Sequence, residues 1–518
     1  MAVFEYRPDG NTLKRFLLST SFVRGLRGPI GSGKSVTCAV EVMRRTLEEW
    51  PRDKTKPPSD RNPRRARWAV IRNTAPELKT TTIKTWLDWY PEEVYGAFNW
   101  SPPYTHHITR FGIDLEVIFL ALDRPDDVKK LLSLELTGAW INEAREVPKE
   151  IIDGATSRVG RFPSMRDGGS RWAGVIMDTN SPDDDHWWPL LSGESPPPEW
   201  MDESELLMLV KPDNWEFFTQ PPAMEEVKEG VGKNAKLIGY RLNPRGENHK
   251  YLRPDYYDNL IRGKTKTWID IYVMNRLGNI EDGKPIYDQY QEEMHSPPGF
   301  DPEPFDGLPV YIGQDYGLTP ATVFAQKVNG RWVILYEICS KDMGAKRHGA
   351  LVKLLLAEKF PWVLNSRREQ KLLLGTGDPA GDIRVQTDEE TPFMTMRALG
   401  ILVFPATTND FSIRVDAVNE AFGRLVEGRP SIMIANRCKM LRKACGGGYH
   451  YRRLQVLGQV PRFEEKPNKN RYSHVAEALQ YLLLGGGEGR ALVTSGQTAK
   501  PTTVPRSTRS PFDRLKRR

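Results

Sequence analysis

The sequence predicts an α/β protein with two domains, the first built on a mostly parallel sheet and the second on a mixed sheet. Two observations lead to this fold class. Strand-length apolar runs alternate with helical patterns over residues 1–189, which is typical of a parallel sheet. Near residue 310 two strands follow each other directly and are joined at Asn329-Gly330, a two-residue hairpin signal. At 518 residues the chain is also too long for one ordinary core.

Composition narrows the class of protein. No apolar run approaches the roughly 18 residues of a membrane span, and the first residues lack the apolar core of a signal peptide. We therefore expect an intracellular protein that is neither secreted nor membrane-bound. The four cysteines, Cys38, Cys339, Cys438 and Cys445, show no C-x-x-C spacing, which favours reduced thiols over a zinc site or disulfides.

The positive charge is concentrated at the C-terminus. The net charge is +7, and residues 485–518 carry +6 of it, with eight Lys or Arg against two acidic residues. Because the rest of the chain is nearly neutral, binding to a polyanion would depend on local basic segments such as 52–67 and 442–453. Either segment is equally compatible with a solvated loop.

The first candidate site is the stretch RGPIGSGKSVTC, residues 27–38, which contains the pattern G-x-x-x-x-G-K-[ST]. A strand-like run precedes it and helical spacing follows, as a phosphate-binding loop requires. The predicted nucleotide-binding residues of this loop are Gly28, Gly31, Ser32, Gly33, Lys34 and Ser35. Lys34 would reach the β- and γ-phosphates and Ser35 would bind Mg²⁺, so the expected ligand is ATP or GTP.

Polar residues at the ends of two later strands complete this prediction. GAWINEA ends in Asn142 and Glu143, where Glu143 could deprotonate an attacking water. Asn142 stands where an aspartate commonly helps to position Mg²⁺, and an amide is a weaker ligand for that ion. MDTNSP ends another strand with Thr179 and Asn180, which could sense the γ-phosphate. A simpler interpretation is that Glu143 belongs to an acidic turn after the strand and has no catalytic role.

The second half places three carboxylates in a suggestive order. Asp315 lies within a strand, Asp378 follows a second strand, and Glu477 lies on a late helix, with His474 on the same face. This order is that of an RNase H-like nuclease, in which three acids hold two Mg²⁺ or Mn²⁺ ions. Each acid taken alone could equally be an ordinary surface residue.

A P-loop ATPase followed by an RNase H-like nuclease resembles the large terminase subunit of tailed bacteriophages. LTGAWINEAREVP is similar to the family's Walker B region, DTNSP to its coupling motif, and VYIGQDYGLTPA and YSHVAEALQYLL to its nuclease motifs. The resemblance spans residues 20–485. It implies ATP and Mg²⁺ as cofactors, Glu143 as the ATPase catalytic residue, Thr179 and Asn180 in coupling, and metal ligands at Asp315, Asp378 and Glu477.

The resemblance also implies partners, a location and a domain plan. The partners would be double-stranded DNA, a portal protein and a small terminase subunit, with the chain in a homo-oligomeric ring in the cytoplasm of an infected bacterial host. The expected domains are an ATPase core at 1–189, a lid and linker at 190–290, a nuclease at 291–484 and a basic flexible tail at 485–518.

Some features leave other functions open. Ile30 stands where many family members have an arginine, so Arg158 or Arg161 of a neighbouring subunit could supply that charge. One alternative is a helicase or repair translocase fused to a nuclease. Another is an ATP-switched, non-catalytic DNA tether, for which Asn142 is the favouring feature.

Overall fold

The computed structural model describes residues 5–197, 201, 203–230, 236–278, 283–317, 319–364, 372–382, 390–454 and 462–489. The chain divides into two compact units, Met1–Ile280 and Glu281–Arg518. Among the described residues, no helix is long and apolar enough to cross a membrane. The four cysteines are free thiols, as the sequence analysis predicts.

The first unit is organised around an eight-stranded sheet. Its strands are β1 (Val23–Arg27), β2 (Arg64–Arg72), β3 (Phe98–Asn99), β4 (Tyr104–Ile108), β5 (Ile113–Ala121), β6 (Gly138–Asn142), β7 (Gly174–Thr179) and β8 (Trp215–Thr219). They follow the spatial order β3-β4-β5-β2-β6-β7-β1-β8. All neighbours from β5 to β8 are parallel, whereas β3, β4 and β5 pair antiparallel at one edge. The mostly parallel sheet predicted from the sequence is confirmed.

Both faces of this sheet are buried, because its central strands are apolar along their whole length. In β2, Trp68 and Val70 pack into one core, and Ala69 and Ile71 pack into the other. The first unit contains helices α1 (Asn11–Leu18), α2 (Lys34–Glu48), α3 (Ala75–Glu77), α4 (Lys84–Trp89), α5 (Glu92–Tyr95), α6 (Val128–Leu132), α7 (Lys149–Thr156), α8 (Trp187–Ser192), α9 (Glu203–Met208), α10 (Tyr256–Ile261) and α11 (Lys266–Tyr272). Helix α2 covers the first face and α7 the second.

The sequence analysis expects the ATPase core to end at residue 189. The first sheet continues past that residue, because β8 pairs with β1. A two-stranded sheet of β9 (Met224–Glu229) and β10 (Lys236–Leu242) follows. Four residues that follow β8, Gln220, Asn248, Tyr257 and Tyr272, contact the glycine-rich loop of the same unit. We call residues 220–230 and 236–272, which contain them, the clasp segment. They fall in the region expected to be a lid and linker.

The second unit contains a six-stranded mixed sheet, as the sequence predicts. Its strands are β12 (Val310–Asp315), β13 (Ala321–Val328), β14 (Arg331–Cys339), β15 (Leu373–Gly377), β16 (Val403–Pro405) and β19 (Ile432–Ile434), in the order β16-β15-β12-β13-β14-β19. The smaller strands are β11 (Gly283–Pro285), β17 (Leu425–Val426), β18 (Arg429–Pro430), β20 (His450–Leu454) and β21 (Arg462–Phe463). The hairpin turn lies at Asn329 and Gly330, which have φ values of 50° and 75°.

Helices cover both faces of the second sheet. They are α12 (Glu292–His295), α13 (Ala345–Lys359), α14 (Pro361–Leu364), α15 (Pro392–Ala398), α16 (Phe411–Gly423), α17 (Lys439–Lys443) and α18 (Arg471–Gly485). One core packs β12 to β14 against α13 and α15. Helix α18 approaches β12 closely at Gly313, where an added Cβ would lie 2.0 Å from the carbonyl oxygen of Ala478.

Candidate functional site

The glycine-rich loop lies between β1 and α2, as the sequence analysis expects. Gly31 and Gly33 have φ values of 77° and 82°, in the left-handed region that favours glycine. An added Cβ at Gly28 would lie 1.9 Å from Oε1 of Gln220. Lys34 is the first residue of α2, so the loop leads directly into a helix N-terminus.

The ammonium group of Lys34 is buried and folded back over this loop. Its Nζ donates to the carbonyl oxygen of Pro29 at 2.7 Å and to Oδ1 of Asn180 at 3.1 Å. Burial lowers the pKa of Lys34, while the carboxylates of Glu143 and Asp178 act in the opposite direction. The lysine is therefore held between the loop and the ends of β6 and β7.

Glu143 directly follows β6 and has a left-handed backbone, with φ 52° and ψ 56°. A non-glycine residue in that conformation is strained, and such strain is found at functional sites. Its carboxylate accepts hydrogen bonds from the backbone N–H and the side-chain amide of Asn180, both at 3.2 Å. Asn180 thus joins Glu143 to Lys34 through one side chain. The structure brings these three predicted residues together.

Asn142 and Ser35 contact a carboxylate that the sequence analysis did not assign. Asp178, in β7, is fully buried and accepts from Oγ of Ser35 at 2.7 Å and from Nδ2 of Asn142 at 3.0 Å. Burial, together with the nearby Glu143, raises the pKa of Asp178. Asp178 is the first residue of DTNSP, so its place within that motif was the available signal.

Thr179 connects two parts of the candidate ATPase site through its carbonyl oxygen and its hydroxyl group. Its carbonyl oxygen accepts from the backbone N–H of Gly28 at 3.2 Å, and its Oγ1 accepts from the backbone N–H of Arg145 at 3.3 Å. Thr179 therefore links the start of the loop to the turn that contains Glu143. The coupling role implied by the resemblance remains a prediction.

Arg145 is a second residue that the sequence analysis missed. Its guanidinium lies 4.0 Å from the carboxylate of Glu143 and donates to the hydroxyl of Tyr272 at 2.7 Å. Of the arginines suggested from the sequence, Arg158 donates to the carbonyl oxygen of Leu134 at 3.0 Å and Arg161 is exposed. Within its own unit, Arg145 is thus the arginine that lies beside the candidate catalytic glutamate.

The clasp segment holds the loop from outside. Asn248 donates to the carbonyl oxygen of Gly31, and Tyr257 donates to that of Ile30, each at 2.8 Å. The N–H of Ile30 donates to the carbonyl oxygen of Tyr272 at 2.8 Å. Gln220 accepts from the hydroxyl of Ser32 at 2.7 Å and donates to its carbonyl oxygen at 3.1 Å.

In the second unit, Asp315 and Asp378 lie at the same edge of the sheet. Asp315 ends β12 and Asp378 follows β15, and these two strands are parallel neighbours. The backbone N–H of Asp378 donates to the carbonyl oxygen of Gln314 at 3.1 Å. Asp315 is buried, and burial raises its pKa.

Helix α18 brings Glu477 and His474 to this edge. Nδ1 of His474 lies 2.8 Å from Oδ2 of Asp315. Glu477 is buried, accepts from the hydroxyl of Tyr449 at 2.9 Å and pairs with the ammonium group of Lys469. The sequence analysis missed Lys469, whose positive charge contacts a predicted metal ligand.

Asp378 is connected to α18 through Asn409. Nδ2 of Asn409 donates to Asp378 at 3.3 Å, and its Oδ1 accepts from the hydroxyl of Tyr481 at 2.9 Å. The three predicted ligands surround one sheet edge but are not gathered tightly. In the described part of the chain, one group of three or more Asp, Glu, His or Cys residues has its ligand atoms within 4.8 Å of one another. That group is Asp183, Asp184 and Asp185.

Several basic residues of the two basic segments form ion pairs. Arg65 pairs with Asp114 and Asp167, Arg67 with Glu116, and Arg442 with Glu292. Residues 490–518, most of the expected basic tail, lie outside the described residues. Residues 485–489 belong to the second unit, where Glu488 accepts from Trp332 and Arg424 at 2.9 Å each.

No protein-family model and no curated protein matches the chain. The solved structures that resemble it include several large terminases. The large terminase from a thermophilic bacteriophage is 14% identical, with a TM-score of 0.37, and the match covers 92% of this chain and 98% of that one. A second structure of that terminase is a complex with ADP. The HK97 bacteriophage large terminase is 10% identical with a TM-score of 0.36, covering 93% and 95%. The P22 large terminase nuclease domain is 14% identical with a TM-score of 0.27, covering 38% and 89%.

Proposed function

We propose that this protein is a viral DNA-packaging motor, an ATPase that moves double-stranded DNA into a capsid and an endonuclease that cuts it. The observation that carries the ATPase assignment is the arrangement of Lys34, Asn180 and Glu143. A phosphate-binding lysine and a candidate general base are joined through one amide at the ends of neighbouring parallel strands. The order of Asp315, Asp378 and Glu477 supports the nuclease assignment.

In the ATPase step, the chain's own residues bind and orient the reactants. Lys34 leaves the carbonyl oxygen of Pro29 to bind the β- and γ-phosphates, while the helix dipole of α2 favours their negative charge. Two hydrogen bonds from Asn180 fix the carboxylate of Glu143, which accepts the proton of the attacking water. Bound Mg²⁺ would neutralise phosphate charge, and Ser35 supplies a hydroxyl oxygen suited to it.

In the nuclease, the residues also fit a divalent cation. Asp315, Asp378 and Glu477 offer the oxygen ligands that Mg²⁺ and Mn²⁺ prefer, and an ion on Glu477 would replace the ammonium group of Lys469 there. Such ions would activate water and stabilise the leaving oxygen. His474 orients Asp315 by a hydrogen bond, and Asn409 orients Asp378.

The partners follow from this proposal. A motor that accepts any sequence would contact DNA through phosphates. We propose that the chain forms a homo-oligomeric ring on a portal protein in the cytoplasm of an infected bacterial host. A small terminase subunit would load the DNA onto this ring. Translocation on a capsid is what distinguishes this function from a helicase or repair translocase, and ATP turnover is what distinguishes it from a tether.

The proposal is tested with purified protein, linear DNA and empty capsids. Lys34→Ala should bind ATP more weakly than the wild type. Glu143→Gln should still bind ATP but hydrolyse it at least about 10²-fold more slowly. The matched control is Asp123→Asn, an exposed carboxylate after β5. Wild-type protein should move DNA into capsids in an ATP-dependent manner. Near-normal turnover in Glu143→Gln would contradict the assigned base, and strand separation without capsid dependence would favour the helicase.

A further inference from the structure

We infer that Asp178 performs, from the neighbouring strand, the Mg²⁺-positioning role of the aspartate that Asn142 replaces. This inference rests on the proposed ATPase function and deepens it. In P-loop ATPases the aspartate that helps to hold Mg²⁺ commonly lies at the end of the Walker B strand. Here that strand, β6, ends in an amide. The carboxylate lies on β7, the parallel neighbour of β6.

The register of the sheet puts the two side chains at the same level. Asn142 and Asp178 are direct partners across β6 and β7. Both are buried, and their side chains are in contact, with Nδ2 of Asn142 at 3.0 and 3.1 Å from the two carboxylate oxygens. A carboxylate moved from position 142 to position 178 therefore remains at the same edge of the sheet.

The hydrogen-bond partners of Asp178 suit a charged carboxylate, whereas its burial opposes the charge. Every group bonded to it is a donor, namely the hydroxyl of Ser35, the indole N–H of Trp140 at 2.7 Å and the amide of Asn142. Among the residues that the structure describes, no lysine, arginine or histidine forms an ion pair with it. Lys34 acts on Asp178 electrostatically but forms no ion pair with it, so this fully buried carboxylate keeps a cost of burial that a bound cation would reduce.

Ser35 connects this carboxylate to the nucleotide. The serine of a P-loop contributes its hydroxyl to Mg²⁺. In this chain the same hydroxyl donates to Oδ2 of Asp178 at 2.7 Å. Asp178 is thus one hydrogen bond away from the expected metal ligand, the distance at which such carboxylates orient a ligand and tune the ion.

The arrangement also explains the amide at position 142. The Oδ1 of Asn142 accepts from the hydroxyl of Thr82 at 2.7 Å, so its Nδ2 faces Asp178 as a donor. An aspartate at position 142 would place a second carboxylate about 3 Å from the first, where two like charges repel strongly. Because the carboxylate lies on β7, the residue facing it on β6 must be a hydrogen-bond donor, such as the amide of Asn142.

The experiment compares wild-type protein with Asp178→Asn, Asn142→Asp and the double variant that exchanges the two residues, with Asp123→Asn as control. ADP affinity is measured by titration calorimetry in EDTA and in Mg²⁺, and the thermal midpoint is recorded for each protein. In Asp178→Asn the gain in affinity given by Mg²⁺ should fall by about 10- to 100-fold, while affinity in EDTA stays within about twofold. The exchange variant should recover most of that gain.

A purely structural role for Asp178 would lower the thermal midpoint and leave the Mg²⁺ gain intact, which would overturn the inference. An exchange variant that folds but binds Mg²⁺·ADP no better than Asp178→Asn would also overturn it. If Asp178→Asn does not fold, the exchange variant alone tests the inference. A gain in ADP affinity from Mg²⁺ in that variant supports the inference, and its loss overturns it. Wild-type protein that binds no nucleotide would instead refute the proposed function.

Discussion

Replacing Gly313 with alanine should slow the nuclease strongly and spare the ATPase. Gly313 lies in β12 where α18 crosses, and an added Cβ would be 2.0 Å from the carbonyl oxygen of Ala478 and 2.6 Å from Cβ of Leu482. Ordinary contact begins at 3.4 Å, so the helix must move by about 1.4 Å to accept the methyl group. Glu477 precedes Ala478 on that helix and would move with it.

Two magnitudes follow from this displacement. Overpacking of this kind costs about 1–3 kcal/mol of stability, which a domain of this size can survive. A misplacement of about 1 Å in a catalytic group costs on the order of 10²-fold in rate. We therefore expect Gly313→Ala to fold with a lowered thermal midpoint and to cut DNA about 100-fold more slowly.

The assay is plasmid cutting in Mn²⁺, with ATP hydrolysis measured on the same preparation. The ATPase residues lie in the other unit, so hydrolysis should stay within a few-fold of wild type. Gly344→Ala is the matched control, because an added Cβ there meets nothing within 4 Å. Wild-type cutting by a folded Gly313→Ala protein would refute the reasoning.

Three further predictions address other parts of the chain. His348 is buried between the hydroxyls of Thr322 and Ser340, and burial lowers its pKa to about 4. Its unfolded pKa is near 6.5, so the unfolded chain binds more protons between these values and stability should fall as pH drops from about 6.5 to 4, by about 1.4 kcal/mol per unit. Thermal midpoints measured across this range should show a shallower fall in His348→Gln; equal slopes would contradict the assignment. Lys469→Met should lower the Mn²⁺ concentration needed for cutting, because the ion then replaces no ammonium group on Glu477; an unchanged metal titration would contradict that competition. Deleting residues 490–518 should abolish packaging while leaving ATPase and cutting intact if this tail docks the portal. If the tail binds DNA instead, the deletion should flatten the salt dependence of binding by up to about 0.9 log units for each phosphate that the tail neutralises. Packaging by the truncated protein would exclude docking. The deletion must begin after Gly489, because Glu488 is bonded to Trp332 and Arg424.

The parts of the candidate sites that depend on local sequence were predictable. The glycines of the loop, with Lys34 and Ser35 after them, form a contiguous pattern whose chemistry follows from spacing alone. Glu143 could be inferred because it directly follows a buried strand. The two sheets were also predictable, since alternating strands and helices indicate parallel pairing and Asn329-Gly330 indicates a hairpin.

The residues that were missed depend on which distant segments become neighbours. Asp178 gains its importance from the pairing of β6 with β7, which brings it beside Asn142. Asn409 reaches Tyr481 across 72 positions of sequence. Nothing in the local sequence distinguishes Lys469 from other surface lysines. It is relevant to the site only because α18 places Glu477 in contact with it. Periodicity and motif spacing carry no information about such contacts.

The sequence offers a further carboxylate, Asp382, four residues after Asp378, as an alternative second nuclease ligand, but its side chain lies outside the described residues. The strand and helix contexts of Asp315, Asp378 and Glu477 were predictable from the sequence. Their mutual distances were not, because these depend on the packing of α18 against β12. Their role as metal ligands remains a prediction.

The clasp segment has a mechanical consequence for the glycine-rich loop. Three backbone groups of Ile30 and Gly31 are bonded to Asn248, Tyr257 and Tyr272. At about 1 kcal/mol for each hydrogen bond, distorting the loop while the clasp segment stays still would cost about 3 kcal/mol. Moving both together breaks none of these bonds. If the loop binds phosphate as proposed, a shift of the loop on phosphate release should therefore move residues more than 200 positions away in sequence.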